Sequence, residues 1–232
     1  MIPLRDDNPS ELRPLLSITL IVICTVVFLW QFMQGRQGGA EVVYSLGLIP
    51  SVLFGYDELP KDLATIPPTL TIFTSMFLHG GWLHLIGNML YLWIFGDNVE
   101  DAMGHVRFVV FYLLCGVAAA LAQAIPDPQS MVPMVGASGA ISGVLGAYLL
   151  LYPHARVLVA IPFGFYLHTM RLPAGIVLVF WFGMQFLSNL LTPAGGGGVA
   201  FRAHIGGFVA GMLLVLLFKR RGYRLMNPIR PS

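Results

Sequence analysis

The feature that most constrains this chain is a succession of long apolar segments, separated by short polar or glycine- and proline-rich stretches. A helix rises about 1.5 Å per residue, so roughly twenty apolar residues cross a hydrocarbon core of about 30 Å. Of the residues, 56% are hydrophobic and 10% are charged, whereas soluble proteins average about 25% charged. Such a chain cannot cover a water-soluble globule with polar surface. We therefore predict an integral, multi-pass membrane protein.

The apolar runs predict an all-α membrane protein, a bundle of six transmembrane helices. Residues 1–13 are expected to be a short cytoplasmic segment, residues 14–218 the six-span domain, and residues 219–232 a basic cytoplasmic tail. No small-residue cleavage site follows the first run, which is therefore interpreted as a retained span. The expected spans are residues 15–33, 74–95, 106–125, 134–152, 172–191 and 199–218.

Lysine and arginine in the flanks of the spans predict their orientation, because cytoplasmic loops are enriched in these residues. With the N-terminus inside, ten basic residues lie on the cytoplasmic side and three on the other. Both termini are therefore expected to be cytoplasmic. The ten are Arg5, Arg13, Arg107, Arg156, Arg171, Lys219, Arg220, Arg221, Arg224 and Arg230, and the three are Arg36, Lys61 and Arg202.

Polar side chains in three of the spans are expected at one depth. Ser138 and His204 each lie fifteen residues before the cytoplasmic end of a span, at Pro153 and Lys219. This spacing places both about 22 Å above the cytoplasmic boundary, and the same arithmetic places His84 about 20 Å above it. Ionisable groups within a bilayer are costly and usually functional.

Small residues on two of these helices predict a close approach of their backbones. If the two small-residue faces meet, the Ser138 hydroxyl and the His204 ring come within hydrogen-bond distance. That is the minimum arrangement for a serine nucleophile with a general base. The alternative is that these glycines only pack helices, which is the reading we prefer for Gly143, Gly146 and Gly211. The small residues are Gly136, Gly139, Gly143 and Gly146 in the fourth span, and Ala203, Gly207 and Gly211 in the sixth.

A histidine and an asparagine share one face of the second span. His84 and Asn88 are four residues apart, and polar groups aimed into a bundle need a partner or a task. Donating hydrogen bonds to a developing oxyanion is such a task, and the Ser138 amide near a helix start could join them. The alternative for Asn88 is an interhelical hydrogen bond. His79 lies near the end of the span and is equally compatible with a structural role.

Three motifs follow one another on alternate spans: HGGWLHLIGN at residues 79–88, GASG at residues 136–139 and AHIGG at residues 203–207. Together they resemble the rhomboid family of intramembrane serine proteases. The resemblance implies a dyad of Ser138 as nucleophile and His204 as general base. It implies an oxyanion site of His84, Asn88 and the Ser138 backbone amide. Structural support would come from Gly136, Gly139, Gly207 and Gly211.

The resemblance also implies the reaction and its partners. The chain would be an endopeptidase that cuts single-span membrane proteins near the outer end of their transmembrane helix, through an acyl-enzyme. Its partners would be these substrates and the lipid bilayer, with no cofactor, metal or nucleic acid. Residues 195–198, four glycines, would belong to a loop covering the site. The compact six-span plan suits a prokaryotic plasma membrane.

One departure from the family concerns the catalytic histidine. Some relatives carry an aromatic residue four positions after the serine, which stacks on that histidine. Here the position is Ser142, so His204 must be oriented in another way.

Other functions fit the sequence less well. The elbow of an α/β-hydrolase needs G-x-S-x-G between a strand and a helix, and here Ser138 is followed directly by Gly139. A metal site of His79, His84 and His204 would have no carboxylate or cysteine at its depth. A small transporter would place polar groups through the whole membrane depth. An inactive rhomboid-like protein that binds transmembrane clients would typically have lost the serine or the histidine.

Overall fold

The computed structural model describes residues 1–163, 166–191 and 200–226. Most of this part is helical, with short helical turns between the longer helices. The helices are α1 (Leu15–Met33), α2 (Gly35–Leu46), α3 (Pro50–Leu53), α4 (Thr71–Thr74), α5 (Trp82–Met103), α6 (His105–Ala124), α7 (Ser138–Leu151), α8 (Ala174–Leu191) and α9 (Phe201–Phe218). Single 3-10 turns at Pro68–Leu70 and Ser75–Phe77 flank α4. The strands are β1 (Ile2–Asp6), β2 (Arg156–Phe163) and β3 (Tyr166–Pro173).

Three of the described helices, α1, α6 and α9, are long and apolar enough to cross a membrane. Two more, Ser138–Leu151 and Ala174–Ser188, are apolar but shorter. Large apolar side chains on α1 point away from the protein, with Val22, Val26 and Met33 between 53% and 82% exposed. Lipid is the environment in which such a surface is stable. The number of spans and the side on which the termini lie remain predictions.

The helix bounds agree with the expected spans except near two glycines. α1 coincides with its expected span, and α6, α8 and α9 begin and end within two residues of theirs. The expected span 74–95 is displaced, because α5 begins only at Trp82 and continues to Met103. Gly81 precedes α5 in an extended conformation, and Gly136 precedes α7 with a positive φ of 125°. The φ of Gly136 lies in a region that glycine adopts readily and other residues rarely do.

The all-α prediction is wrong in one respect, since three strands form an antiparallel sheet in the order β1-β2-β3. Ile2 pairs with Ala160 and Asp6 with Val157. β1 comes from the N-terminal segment, and β2 and β3 come from the connection between the fourth and fifth expected spans. Val157 and Val159 are fully buried on one face of β2, and this alternation of branched residues is a strand signal. Neither segment was expected to form a strand.

The described part of the C-terminal tail packs on the helices. The backbone N–H of Arg220 donates to the carbonyl of Ala102 at the end of α5, and its guanidinium lies 3.1 Å from the Asp101 carboxylate. The N–H of Met226 donates to the carbonyl of Leu150 in α7. Residues 219–226 therefore add contacts to the domain, and residues 227–232 lie outside the described residues.

Helix α7 lies in the centre of the bundle, where it is almost completely buried. It contacts α9 backbone to backbone: a β-carbon added at Gly207 would lie 2.0 Å from the Gly139 carbonyl oxygen. The same holds for Gly211, whose added β-carbon would lie 2.0 Å from the Gly143 carbonyl oxygen. The two glycine faces thus meet, and any larger residue at Gly207 or Gly211 would push the helices apart.

Candidate active site

The polar residues singled out in the sequence lie at the N-terminal ends of three helices. Ser138 is the first residue of α7, His84 the third of α5 and His204 the fourth of α9. The sequence had suggested positions well inside longer spans. At a helix start the backbone N–H groups lack an intrahelical partner and the helix dipole is positive. This end of the bundle is therefore suited to hold negative charge that develops in a reaction.

Ser138 and His204 are in direct contact. The Ser138 Oγ and the His204 Nε2 are 2.8 Å apart, although the two residues are 66 positions apart in sequence. The close approach of Gly139 and Gly207 brings their helices together within one turn of each residue. The His204 side chain is 8% exposed, so few water molecules reach it. A buried imidazole that accepts from a serine hydroxyl is the geometry of a general base with its nucleophile.

Two residues of α8 contact the other side of the histidine, and the sequence reasoning missed both. The Gln185 Oε1 lies 2.9 Å from the His204 Nδ1. The Trp181 ring lies with its centroid 5.8 Å from that of His204, at an interplanar angle of 39°. The signal in the sequence was a glutamine in an apolar helix, which needs a polar partner when it is buried. Trp181 is four residues earlier, on the same helix face.

Ser142 takes no part in orienting His204. Its Oγ donates to the backbone carbonyl of Ser138, at 2.6 Å, and its side chain is fully buried. This is the back-bonding to the preceding turn that serine commonly makes in helices. The aromatic ring beside the histidine is supplied by Trp181 from another helix.

His84 borders the same space as the serine hydroxyl. The backbone N–H of Gly80 donates to the His84 Nδ1 at 3.2 Å, so a neutral ring carries its proton on Nε2. A β-carbon added at Gly136 would lie 2.7 Å from this Nε2 and 3.6 Å from the Ser138 Oγ. Two features require glycine at position 136. Its φ is positive, and the His84 ring occupies the space that a β-carbon would need. The His84 N–H is a donor at the edge of the serine site.

The Asn88 side chain and the Ser138 amide have N–H groups without a partner in their own helices. The Asn88 Nδ2 is buried and has no hydrogen-bond partner, which is costly unless a ligand uses it. The interhelical hydrogen bond that we considered for Asn88 is thus not made by its nitrogen. The backbone bonds within α7 begin with Ile141 donating to Ala137. The Ser138 N–H comes before this point, so no carbonyl of α7 accepts from it.

The remaining features near the site are structural or small. The ring nitrogens of His79 are buried without a partner, and its backbone N–H and carbonyl bond to the Gln31 side chain. A cavity of about 20 Å³ lies beside Ser138, lined mostly by small residues that include Gly139 and Ala203. Within residues 1–163, 166–191 and 200–226, no three His, Cys, Asp or Glu side chains are grouped to hold a metal ion. The four glycines at 195–198 lie outside the described residues.

Comparisons with known proteins give a consistent result. Residues 68–221 match the family model described as "Rhomboid domain". The chain is 30% identical over 193 residues to "Rhomboid protein 1, mitochondrial" of Saccharomyces cerevisiae, covering 75% of this chain and 52% of that protein. It is 29% identical over 197 residues to "RHOMBOID-like protein 5" of Arabidopsis thaliana, covering 84% and 59%. It is 27% identical over 199 residues to "Rhomboid protease GluP" of Bacillus subtilis, covering 86% and 34%. The chain thus spans between 34% and 59% of the length of these relatives.

Proposed function

This chain belongs to the rhomboid family, and from that membership we propose that it is an intramembrane serine endopeptidase. It hydrolyses a peptide bond in or near the outer end of transmembrane segments of membrane proteins. The observation that carries the proposal is the 2.8 Å contact between the Ser138 Oγ and the His204 Nε2. A relative named as a rhomboid protease, from Bacillus subtilis, supports the same reaction class.

In the acylation step, the Ser138 Oγ attacks the carbonyl carbon of the scissile bond and its proton passes to the His204 Nε2. The tetrahedral intermediate then collapses, and the peptide C–N bond breaks. The imidazolium gives the same proton to the leaving amine, which leaves with the C-terminal part of the substrate. The N-terminal part stays bound to Ser138 as an ester.

The oxyanion of that intermediate is stabilised by three N–H donors, those of the Ser138 backbone, the His84 Nε2 and the Asn88 Nδ2. None of these three N–H groups donates a hydrogen bond within its own helix, so all three can donate to the oxyanion as its charge develops. Preorganised donors of this kind contribute more to the transition state than to the ground state. The positive ends of α5 and α7 act in the same direction.

The ester is then hydrolysed by water. His204, neutral again, removes a proton from the water while the oxygen attacks the ester carbonyl, and Ser138 recovers its proton on release. The cavity of about 20 Å³ beside Ser138 has room for about one water molecule. Ser138 lines this cavity, so a water molecule in it would lie close to the acyl group.

The substrates proposed are single-span membrane proteins, and the site is reached within the bilayer. We propose that the chain crosses the membrane six times, with both termini in the cytoplasm. The named relatives include a mitochondrial protein, so they give no support to a prokaryotic plasma membrane over another membrane. That location rests on the compact plan of the sequence alone.

The experiment that tests the function compares wild type, Ser138→Ala and Ser142→Ala. Each purified protein is placed in liposomes with a fluorescent single-span substrate, and cleavage products are identified by mass spectrometry. We expect Ser138→Ala to lower the rate by at least 10⁴-fold, as the loss of a serine nucleophile does elsewhere. Ser142→Ala removes the same atom from the same helix one turn later, where it makes only a backbone hydrogen bond. It should keep the rate within about threefold, because that hydrogen bond contributes only about 1 kcal/mol of stability.

Equal cleavage by wild type and Ser138→Ala would show that the serine is not the nucleophile. Absence of cleavage by every form, with a substrate that another rhomboid protease cuts in the same liposomes, would favour an inactive, client-binding member of the family. Vesicle uptake without cleavage would favour the transporter alternative.

A further inference from the structure

The contact between α8 and the catalytic histidine points to a third residue in the machinery. We propose that Gln185 is a positioning residue that fixes the tautomer and the orientation of His204. The inference rests on the proposed function and adds to it the group that prepares the general base.

The argument begins with the two nitrogens of the ring. For His204 to accept a proton from Ser138, its Nε2 must carry a lone pair, and in the neutral ring the hydrogen then sits on Nδ1. That N–H is buried and needs an acceptor. The Gln185 Oε1, 2.9 Å away, is the acceptor in the structure. The opposite tautomer would place a hydrogen between Nε2 and the serine oxygen and would remove the base.

The second step concerns the orientation of the ring. An imidazole held only by its contact with Ser138 could rotate about its side-chain torsions, because one hydrogen bond fixes the position of one ring nitrogen but not the orientation of the ring plane. Gln185 holds the opposite corner, and Trp181 packs beside the ring at a centroid distance of 5.8 Å. The two residues are one helical turn apart on α8, so one helix face determines both the position and the tilt of the base.

The third step concerns charge. When His204 takes the serine proton, the ring becomes a cation in a site from which water is largely excluded. The amide carbonyl of Gln185 presents the negative end of its dipole to the Nδ1–H, which stabilises that cation. No proton is transferred to the glutamine, which stays neutral throughout. Its role is that of the buried carboxylate in serine protease triads, performed with a dipole in place of a full charge.

A set of three side chains of similar length separates this role from simple packing. Gln185→Glu keeps an acceptor and loses the donor. Gln185→Met keeps the volume and loses the hydrogen bond. Gln185→Lys offers only donors and therefore favours the wrong tautomer.

We expect Gln185→Met to lower kcat by about 10- to 100-fold with KM nearly unchanged, a part of the 10²–10⁴ that general-base catalysis contributes. Gln185→Lys should lower kcat further, and Gln185→Glu should restore at least a third of the wild-type kcat. The second readout is the rate at which a fluorophosphonate labels Ser138, since it reports serine activation without peptide binding. Thermal unfolding in detergent confirms that each variant is folded.

The results distinguish this inference from the proposed function. If Ser138→Ala abolishes cleavage while Met, Glu and Lys at position 185 behave alike in both assays, the dyad stands and the role of Gln185 is wrong. A rise in KM without a fall in kcat would likewise make Gln185 a substrate-binding residue and overturn the inference. If Ser138→Ala still cleaves, the proposed function fails first, whatever the Gln185 series shows.

Discussion

The polar side chains at the two ends of helix α5 differ in whether they have hydrogen-bond partners within the protein. At its N-terminal end, the His84 Nε2 borders the space beside the Ser138 Oγ, and the Asn88 Nδ2 is buried without a hydrogen-bond partner. At its C-terminal end, the Glu100 and Asp101 carboxylates are buried and bonded to several groups each. We call Glu100 and Asp101 the acidic pair.

The acidic pair holds the start of α1 in place. Glu100 accepts from the backbone N–H groups of Leu16 and Ser17, at 2.9 and 2.8 Å, and from the Ser17 hydroxyl at 2.8 Å. It also bonds to the His105 Nδ1 at 2.6 Å. Pro14 precedes α1 and provides no side-chain cap. Glu100 therefore supplies from another helix the cap and the negative charge that the start of α1 lacks.

The comparison shows how one helix can serve stability and chemistry at once. Polar groups that are fully bonded in the folded protein contribute to its stability. Buried polar groups without a hydrogen-bond partner lower the stability, and they are tolerated where a bound substrate supplies that partner. Substitutions at the two ends should therefore have separable effects, one on unfolding and the other on rate.

The largest effect is expected at the acidic pair. Glu100→Ala leaves two N–H groups, a hydroxyl and a histidine without their acceptor, and should lower the free energy of unfolding by about 3–5 kcal/mol. The measurement is denaturant unfolding in detergent, followed by tryptophan fluorescence. Glu58→Ala, at an exposed position, is the control and should change it by less than about 0.5 kcal/mol. Equal effects of the two substitutions would contradict the role given to Glu100.

The opposite result is expected at the other end. Asn88→Ala removes a buried unpaired donor, so unfolding should be nearly unchanged, while kcat falls about 10²–10³-fold through loss of one oxyanion donor. Cleavage rate and unfolding are measured on the same preparation, so that the two effects can be compared directly. A large loss of stability with an unchanged kcat per folded molecule would make Asn88 structural and would remove the contrast between the two ends.

The smallest effect concerns Asp6 of β1, which accepts from the Tyr148 hydroxyl near the acidic end of α5. Burial raises the pKa of Asp6 from 3.8 to about 7, and the Asp97 carboxylate adds to the rise, against the hydrogen bond from Tyr148. The folded protein then keeps a proton that the unfolded chain releases above about pH 4. Stability should therefore fall as the pH rises from about 4 to 7, by about 1–2 kcal/mol, and level off above.

Asp6→Asn should make this pH dependence shallower, because asparagine does not titrate. The check is the midpoint of thermal unfolding at several pH values between 4 and 8 for both proteins. Parallel curves would show that Asp6 is not the group that titrates.

The sequence was sufficient for the features that leave a regular pattern of residues along the chain. The apolar runs and the glycine spacing predicted most helix bounds and the contact between α7 and α9, and the family prediction is confirmed by the match over residues 68–221. Ser138 and His204 were expected together because their depths agreed, and the structure places them in contact.

The features that were missed depend on contacts between distant parts of the chain. Nothing local in α8 shows that Gln185 faces His204, since a helix position alone does not define which neighbour it meets. The start of α5 was misplaced because the apolar residues before Gly80 resemble helix, and only their packing separates them. The strand β1 was missed because it is short and finds its strand partner about 150 residues away, as in the pair of Ile2 with Ala160.

That last pairing has a consequence for the order in which the protein forms. β1 precedes α1 in the sequence, and the residue that pairs with Ile2, Ala160, is synthesised only after α7. By then the residues of α1, α5, α6 and α7 have already been made. Joining β1 to β2 therefore closes a loop of most of the chain, and contacts of such wide sequence separation form late. β1 therefore completes its strand pairing only after the helices between the two strands have been made.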